Sequence, residues 1–93
     1  MILEIVSPEA SLFKGEITSI AVPGVDGSFQ ILNNHAPIVS ILQKGTLSIT
    51  ASNFEFTKES AGLFTKVNDQ NYTLAISSGT IEMKNNKVIV LAD

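Results

Sequence analysis

Apolar residues recur with a period of two in short runs throughout the chain, and no stretch of ten or more residues carries a helical stripe. Leu47 and Ile49 alternate with polar neighbours, as do Tyr72, Leu74 and Ile76, and again Ile81 and Met83. Turn signals punctuate these short runs, among them Ser7-Pro8-Glu9, Pro23-Gly24, Asp26-Gly27, Asn33-Asn34, Ser77-Ser78-Gly79 and Asn85-Asn86. Such a pattern predicts an all-β fold, an antiparallel β-sandwich of about ten short strands. Ile38 to Leu42 and the opening run Ile2 to Val6 are apolar on both faces. That fits two sheets packed together with part of the outer surface covered by partners.

Finer readings follow from the same pattern. Leu12-Phe13-Lys14-Gly15 reads as a turn. Ile17 has the opposite parity to Ile20 and Val22, which predicts a bulge or change of face near Thr18-Ser19. Pro23-Gly24 reads as a turn pair, and Asp26-Gly27 as the hairpin turn before Phe29 and Ile31. In the central connection, 51–71, Phe54 to Thr57 and Leu63 to Val67 read as strands around Glu59-Ser60-Ala61-Gly62. An irregular surface loop fits that stretch equally well.

With 93 residues the chain is one domain, 1–93, too small for a second lobe. The net charge is −3, and the six basic residues, all Lys, are scattered. No electrostatic footprint for a phosphate backbone exists, so nucleic acid is not a partner. Cysteine is absent, excluding disulfides and thiolate metal sites. The start, Met1 to Glu9, has Glu4 within its apolar run and no basic residue ahead of it, unlike a signal or transit peptide. Apolar runs fall far short of the ~20 residues that span a bilayer, so direct membrane insertion is not expected. Charged residues make up 16% against a typical ~25%, which fits a surface partly covered by a partner and equally a sticky or Ser/Thr-rich one.

Catalytic chemistry is not legible. No phosphate-cradling G-x-x-x-x-G-K-[ST] loop occurs, and one His with isolated carboxylates gives no metal-ligand spacing. A triad drawn from Ser40, His35 and Asp26 is what chance supplies in a Ser-rich chain. No cofactor is expected, and neither a small hydrolase nor an adhesion module finds the base–nucleophile pair or aromatic platform it needs. His35 is the one titratable residue that stands out. It reads either as a structural ring bonding the loop backbone around Asn33-Asn34 or as a contact for a partner.

The segment Gly27-Ser28-Phe29-Gln30-Ile31-Leu32-Asn33-Asn34-His35-Ala36-Pro37 resembles the signature G-x-F-G-I-L-x-x-H-A-P of the epsilon subunit of F-type ATP synthases. Ile5-Val6-Ser7-Pro8-Glu9 resembles that family's I-V-T-P-E, Leu12 to Ile17 its L-F-x-G-E-V, Ile20 to Gly24 its V-x-V-P-G, and Val88 to Asp93 its V-T-V-L-A-D. The resemblance runs in order through the whole chain, the central connection excepted. It implies the family's N-terminal β-sandwich without the C-terminal helical hairpin. It further implies a non-catalytic rotor subunit of the central stalk of a proton-translocating ATP synthase, at the cytoplasmic face of a bacterial inner membrane. By resemblance the loop with His35, Ala36 and Pro37 meets the gamma subunit, and Gly27, Ser28 and Phe29 meet the membrane c-ring. The family often has a carboxylate where Ser28 stands and Gly where Gln30 stands, leaving hydrogen bonds and Phe29 for the ring contact. Without the helices, neither ATP binding nor inhibition by helix extension is expected.

Overall fold

A computed structural model describes residues 1–53, 56 and 61–93. Among the described residues ten strands follow one another: β1 (Ile2–Val6), β2 (Ser11–Glu16), β3 (Ser19–Gly24), β4 (Gly27–Leu32), β5 (Ile38–Leu42), β6 (Gly45–Thr50), β7 (Phe64–Asn68), β8 (Asn71–Ile76), β9 (Gly79–Lys84) and β10 (Lys87–Ala92). A 3₁₀ turn, Ala61–Leu63, precedes β7. The all-β class and the strand number match the sequence pattern.

The strands form a curled sheet in the order β2-β1-β10-β9-β5-β3-β6-β8-β7, with β4 paired to β3. All pairings are antiparallel except β1–β10, which runs parallel from Ile2↔Lys87 to Val6↔Leu91. The link between β5 and β3 is one residue pair, Gly24↔Leu42, so the sheet folds over at this corner into two leaves. Alternation then does its work: Leu3, Ile5, Leu42, Ile81, Met83, Val88 and Val90 from one leaf face Ile20, Val22, Ile31, Leu47, Ile49 and Leu74 from the other, all 4% exposed or less. Burying each such side chain contributes roughly 1.5–3 kcal/mol before entropy is counted. On the side away from the corner, Phe13, Phe56, Phe64 and Tyr72 bring β2 and β7 together. Phe56 is the hub, with ring centroids 4.7 Å from Phe64, 5.0 Å from Tyr72 and 6.1 Å from Phe13.

Several local expectations need correction. Leu12-Phe13-Lys14-Gly15 belongs to β2. A register shift opposite Ile5 and Val6 inserts one extra residue there, so Leu12 and Phe13 both point inward. That irregular period is what read as a turn. The parity change near Thr18 marks the passage of the chain between leaves, with Ile17 N–H donating to the Met1 carbonyl (2.8 Å) and Thr18 N–H to that of Thr50 (2.8 Å). Pro23-Gly24 lies in β3, and the turn falls at Val25-Asp26. Pro23 sits where β3 leaves β6 and approaches β5, a gap in which a missing N–H costs no ladder bond. In the central connection, β7 pairs with β8 rather than with an upstream strand. Of the stretch read as a strand around Phe54, only Phe56 is among the described residues; it bridges Phe13.

Asn85 and Asn86, at φ 53° and 60°, turn β9 into β10, and Asn34 is also left-handed at φ 63°. At the β7–β8 turn, the Lys66 ammonium lies 3.1 Å from the Asp69 carboxylate. The hydrogen bond that Lys66 donates to Asp69, then the Asp69 charge, raises the Lys66 pKa above its usual 10.5. A raised lysine pKa favours the folded state at pH values below the unfolded pKa, and that contribution disappears as pH rises through the folded value.

Two outcomes follow for this scaffold. Leu47→Ala, at a site 0% exposed, lowers unfolding free energy by about 2–5 kcal/mol in urea titrations. Asp69→Asn moves the Lys66 pKa down toward its usual value in an alkaline NMR titration, while leaving the cross-strand contacts of β8 in place.

Candidate functional site

The residues singled out by their sequence pattern occupy the two ends of β4. Gly27 and Ser28 are exposed at the tip of the β3–β4 hairpin, and Phe29 is half-buried just inside it. His35, Ala36 and Pro37 are exposed in the loop from β4 to β5. The six residues of β4 extend over roughly 20 Å at 3.3 Å per residue, and the two sets sit at its two ends. The structure thus keeps them apart, at opposite ends of one strand.

The tip is built on close backbone approach. Gly27 holds φ 123°, a conformation that favours glycine. A Cβ on Gly24 would stand 2.7 Å from the Gly27 carbonyl oxygen and 2.8 Å from the Phe29 ring. Phe29 therefore lies across Gly24, on the inward face with Ile31, and offers only part of its surface outward. The tip is tied to β5 by Val25 N–H donating to the Ile41 carbonyl (3.1 Å) and Gln43 N–H to that of Pro23 (2.8 Å). Asp26, exposed at the turn, keeps one negative charge beside the neutral Ser28.

The other end has a different construction. His35 N–H donates to the Leu32 carbonyl at 3.1 Å. The ring Nδ1 lies 2.7 Å from the Ala36 carbonyl oxygen, which can only accept, so Nδ1 carries the proton. The ring thus bonds the adjacent peptide and not the Asn33-Asn34 backbone. Those two residues are held from elsewhere: the Asn86 carboxamide accepts from Asn34 N–H (2.8 Å) and donates to Asn33 Oδ1 (3.0 Å). Sequence reading missed Asn86 as part of this loop. Its only signal was the second Asn-Asn pair, more than fifty residues away.

Between the two ends runs an exposed apolar strip. On β5, Val39 is 77% and Ile41 62% exposed; among the described large apolar residues only Val67 on β7, also 62%, matches Ile41. Strand register carries the strip across the leaf, through Ile41↔Thr80 and Thr80↔Leu91, to Leu91 on β10, itself exposed. A shallow depression is lined by Ile41, Thr80, Leu91 and Asp93. Another cleft, about 480 Å³, lies beside Met1, Lys14, Glu16, Ile17, Thr18 and Asn33. Among the described residues no three His, Cys, Asp or Glu are grouped to hold a metal ion, and no helix is long and apolar enough to cross a membrane. Ser40, His35 and Asp26 make no hydrogen bond with one another: the Ser40 hydroxyl turns to the Ile41 carbonyl (3.4 Å) and His35 to that of Ala36.

Taken together, these features describe a β-sandwich domain whose distinctive residues lie on exposed loops and one apolar face. A family model for the β-sandwich domain of the ATP synthase delta/epsilon chain matches residues 1–93. An ATP synthase epsilon chain from Desulforamulus reducens is 40% identical over 91 residues, covering 98% of this chain and 57% of that protein. One from Chlorobium limicola is 34% identical over 91 residues, covering 98% of this chain and 86% of that one. The chain belongs to the ATP synthase delta/epsilon-chain β-sandwich family. It spans little more than half the length of several relatives, such as 54% of an epsilon chain from Dehalococcoides mccartyi. The fold is shared with a chain of the Euglena gracilis mitochondrial ATP synthase OSCP/F1/c-ring structure, with TM-score 0.76 at 18% identity, covering 99% of this chain and 49% of that one. It is shared too with a chain of the Tetrahymena thermophila central stalk/c-ring structure, TM-score 0.65 at 19% identity, covering 99% and 62%.

The site's construction yields opposite outcomes at two residues. His35→Ala changes unfolding free energy by less than about 0.5 kcal/mol, because the ring is exposed and bonds only its neighbour's carbonyl. Gly24→Ala costs about 1–3 kcal/mol and shifts the Phe29 ring resonances, because the added methyl meets backbone and ring together.

Proposed function

We propose that this chain serves as the non-catalytic β-sandwich of an ATP synthase central stalk, placed between the gamma subunit and the c-ring at the cytoplasmic face of a bacterial membrane. In this reading His35, Ala36 and Pro37 meet gamma, and Gly27, Ser28 and Phe29 meet the polar loops of the ring. Residues 1–93 act as one domain, and its task is mechanical. Ion-driven rotation of the ring passes to the catalytic subunits through a joint that must not slip.

The observation that carries this reading is the exposed apolar strip on β5. Val39 and Ile41, 77% and 62% exposed, begin two residues beyond Pro37 and end beside the hairpin tip. A β-strand that turns branched apolar side chains to solvent is a surface awaiting a partner. Its ends coincide with the two loops that the family resemblance assigns to gamma and to the ring. We extend the gamma contact along this strip, so that one partner grips both the loop and the leaf behind it. A persistent contact of this kind buries on the order of 2,000 Å² in total over both partners. No step of bond chemistry is assigned to the chain, and ATP is not its ligand.

The test is binding to the gamma subunit. The full chain is titrated with gamma of the same enzyme by calorimetry, alongside Val39→Lys and Ile41→Lys. Both sites are exposed, so the variants fold, and each is expected to weaken gamma binding by roughly tenfold or more. Equal affinity for parent and both variants removes the strip from the interface, and no binding by the parent overturns the rotor reading itself. In a parallel titration with ATP the chain gives no saturable signal at micromolar nucleotide; a saturable one refutes the nucleotide-free role.

A further inference from the structure

We propose that Asn86 is a positioning residue: from the β9–β10 turn, its carboxamide clamps the loop that presents His35, Ala36 and Pro37. This inference rests on the reading above, in which that loop meets gamma.

Among the described residues, the hydrogen bonds that begin and end within the loop are short-range. His35 N–H reaches back to Leu32, and the His35 ring reaches Ala36. Pro37 adds stiffness by confining Ala36 to extended conformations. The ties to another element both come from Asn86, which accepts from Asn34 N–H at 2.8 Å and donates to Asn33 Oδ1 at 3.0 Å. A backbone N–H can only donate, so the atom facing Asn34 is the carboxamide oxygen, and the nitrogen is thereby aimed at Asn33. One side chain thus fixes both residues in one orientation. Its own backbone is anchored as well, since the Asn86 carbonyl accepts from Ile2 N–H at 3.1 Å. The clamp is therefore mounted on the parallel β1–β10 pair, inside the leaf that bears the apolar strip.

The turn itself does not need this side chain. Asn86 occupies the second position of a two-residue hairpin at φ 60°, where glycine is the least strained choice. An Asn-Gly sequence would close the same hairpin more readily. What asparagine adds at that position is reach across to Asn33 and Asn34. It converts the loop from a flexible link between β4 and β5 into a part seated on the leaf. A loop ordered in advance forfeits less freedom on meeting its partner, which raises affinity without new contacts.

Asn86→Gly separates these roles, because it suits the left-handed turn and deletes only the clamp. In the full chain, amide exchange at Asn34 should speed up by about fivefold or more, while the β9–β10 cross-strand amides keep their protection. Affinity for the gamma subunit should fall by about five- to twentyfold. Asn86→Asp keeps the acceptor for Asn34 but loses the donor to Asn33, and should fall between parent and glycine variant. Unchanged exchange at Asn34 in Asn86→Gly overturns the clamp. Faster exchange with unchanged gamma affinity overturns its positioning role. Titrations of His35→Ala and Pro37→Ala then separate the two claims. If these also bind gamma like the parent, the loop contact itself is wrong; if they bind weakly, only the part given to Asn86 fails.

Discussion

The architecture depends on what happens where β3 gives up one neighbour and takes another. Along Ser19 to Ala21 its ladder partner is β6, and at Gly24 it is β5, through a single pair with Leu42. A continuous ladder there would hold the sheet open and leave one face of each strand in water. The break lets the sheet bend until both inner faces share one core. Two residue types make the bend feasible: Pro23, which has no donor to strand, and Gly24, which has no Cβ to collide with the carbonyl of Gly27 or the ring of Phe29. The same corner sets the hairpin tip against β5, bringing Val25 to Ile41. Core, tip and exposed strip are thus geometrically linked, and a disturbance at Gly24 reaches all of them.

Much of this fold was legible from period-two alternation, because side chains on a strand report their face directly. Leu47 and Ile49, Leu74 and Ile76, and Ile81 and Met83 all lie where the pattern places them, and the Asn85-Asn86 turn is left-handed as its composition implies. The pattern failed where strands are irregular. An extra residue in β2 makes Leu12 and Phe13 point the same way, and alternation cannot register that. Pro23-Gly24 carries turn chemistry, but here that chemistry serves a corner between leaves one step before the turn. Strand direction was also invisible. Nothing in Val88 to Leu91 tells that its neighbour β1 runs parallel, since that is decided by the path of the whole chain.

The candidate site divides along the same line. Short motifs located the two loops at the ends of β4, because each loop is contiguous in sequence and built from turn residues. What steadies the second loop was beyond reach. Asn86 reaches Asn34 from fifty-two residues away, and a polar side chain in a turn gives no hint of which distant backbone it meets. The exposed strip on β5 was partly anticipated, since Ile38 to Leu42 is apolar throughout. Which of those residues face outward emerges only once the register with β9 assigns Leu42 to the core and Val39 and Ile41 to solvent.

The parallel seam between β1 and β10 has a kinetic meaning. Leu3 faces Val88 and Ile5 faces Val90, partners 85 residues apart, so β1 must wait until β10 has been made before that neighbour exists. Until then Leu3 and Ile5, wholly buried in the finished domain, have no permanent cover on that flank. Contacts so distant along the polypeptide make for slow, late closure. Nascent chains of this domain are therefore at their most adhesive just before synthesis of β10 ends, when a chaperone would have the most to shield.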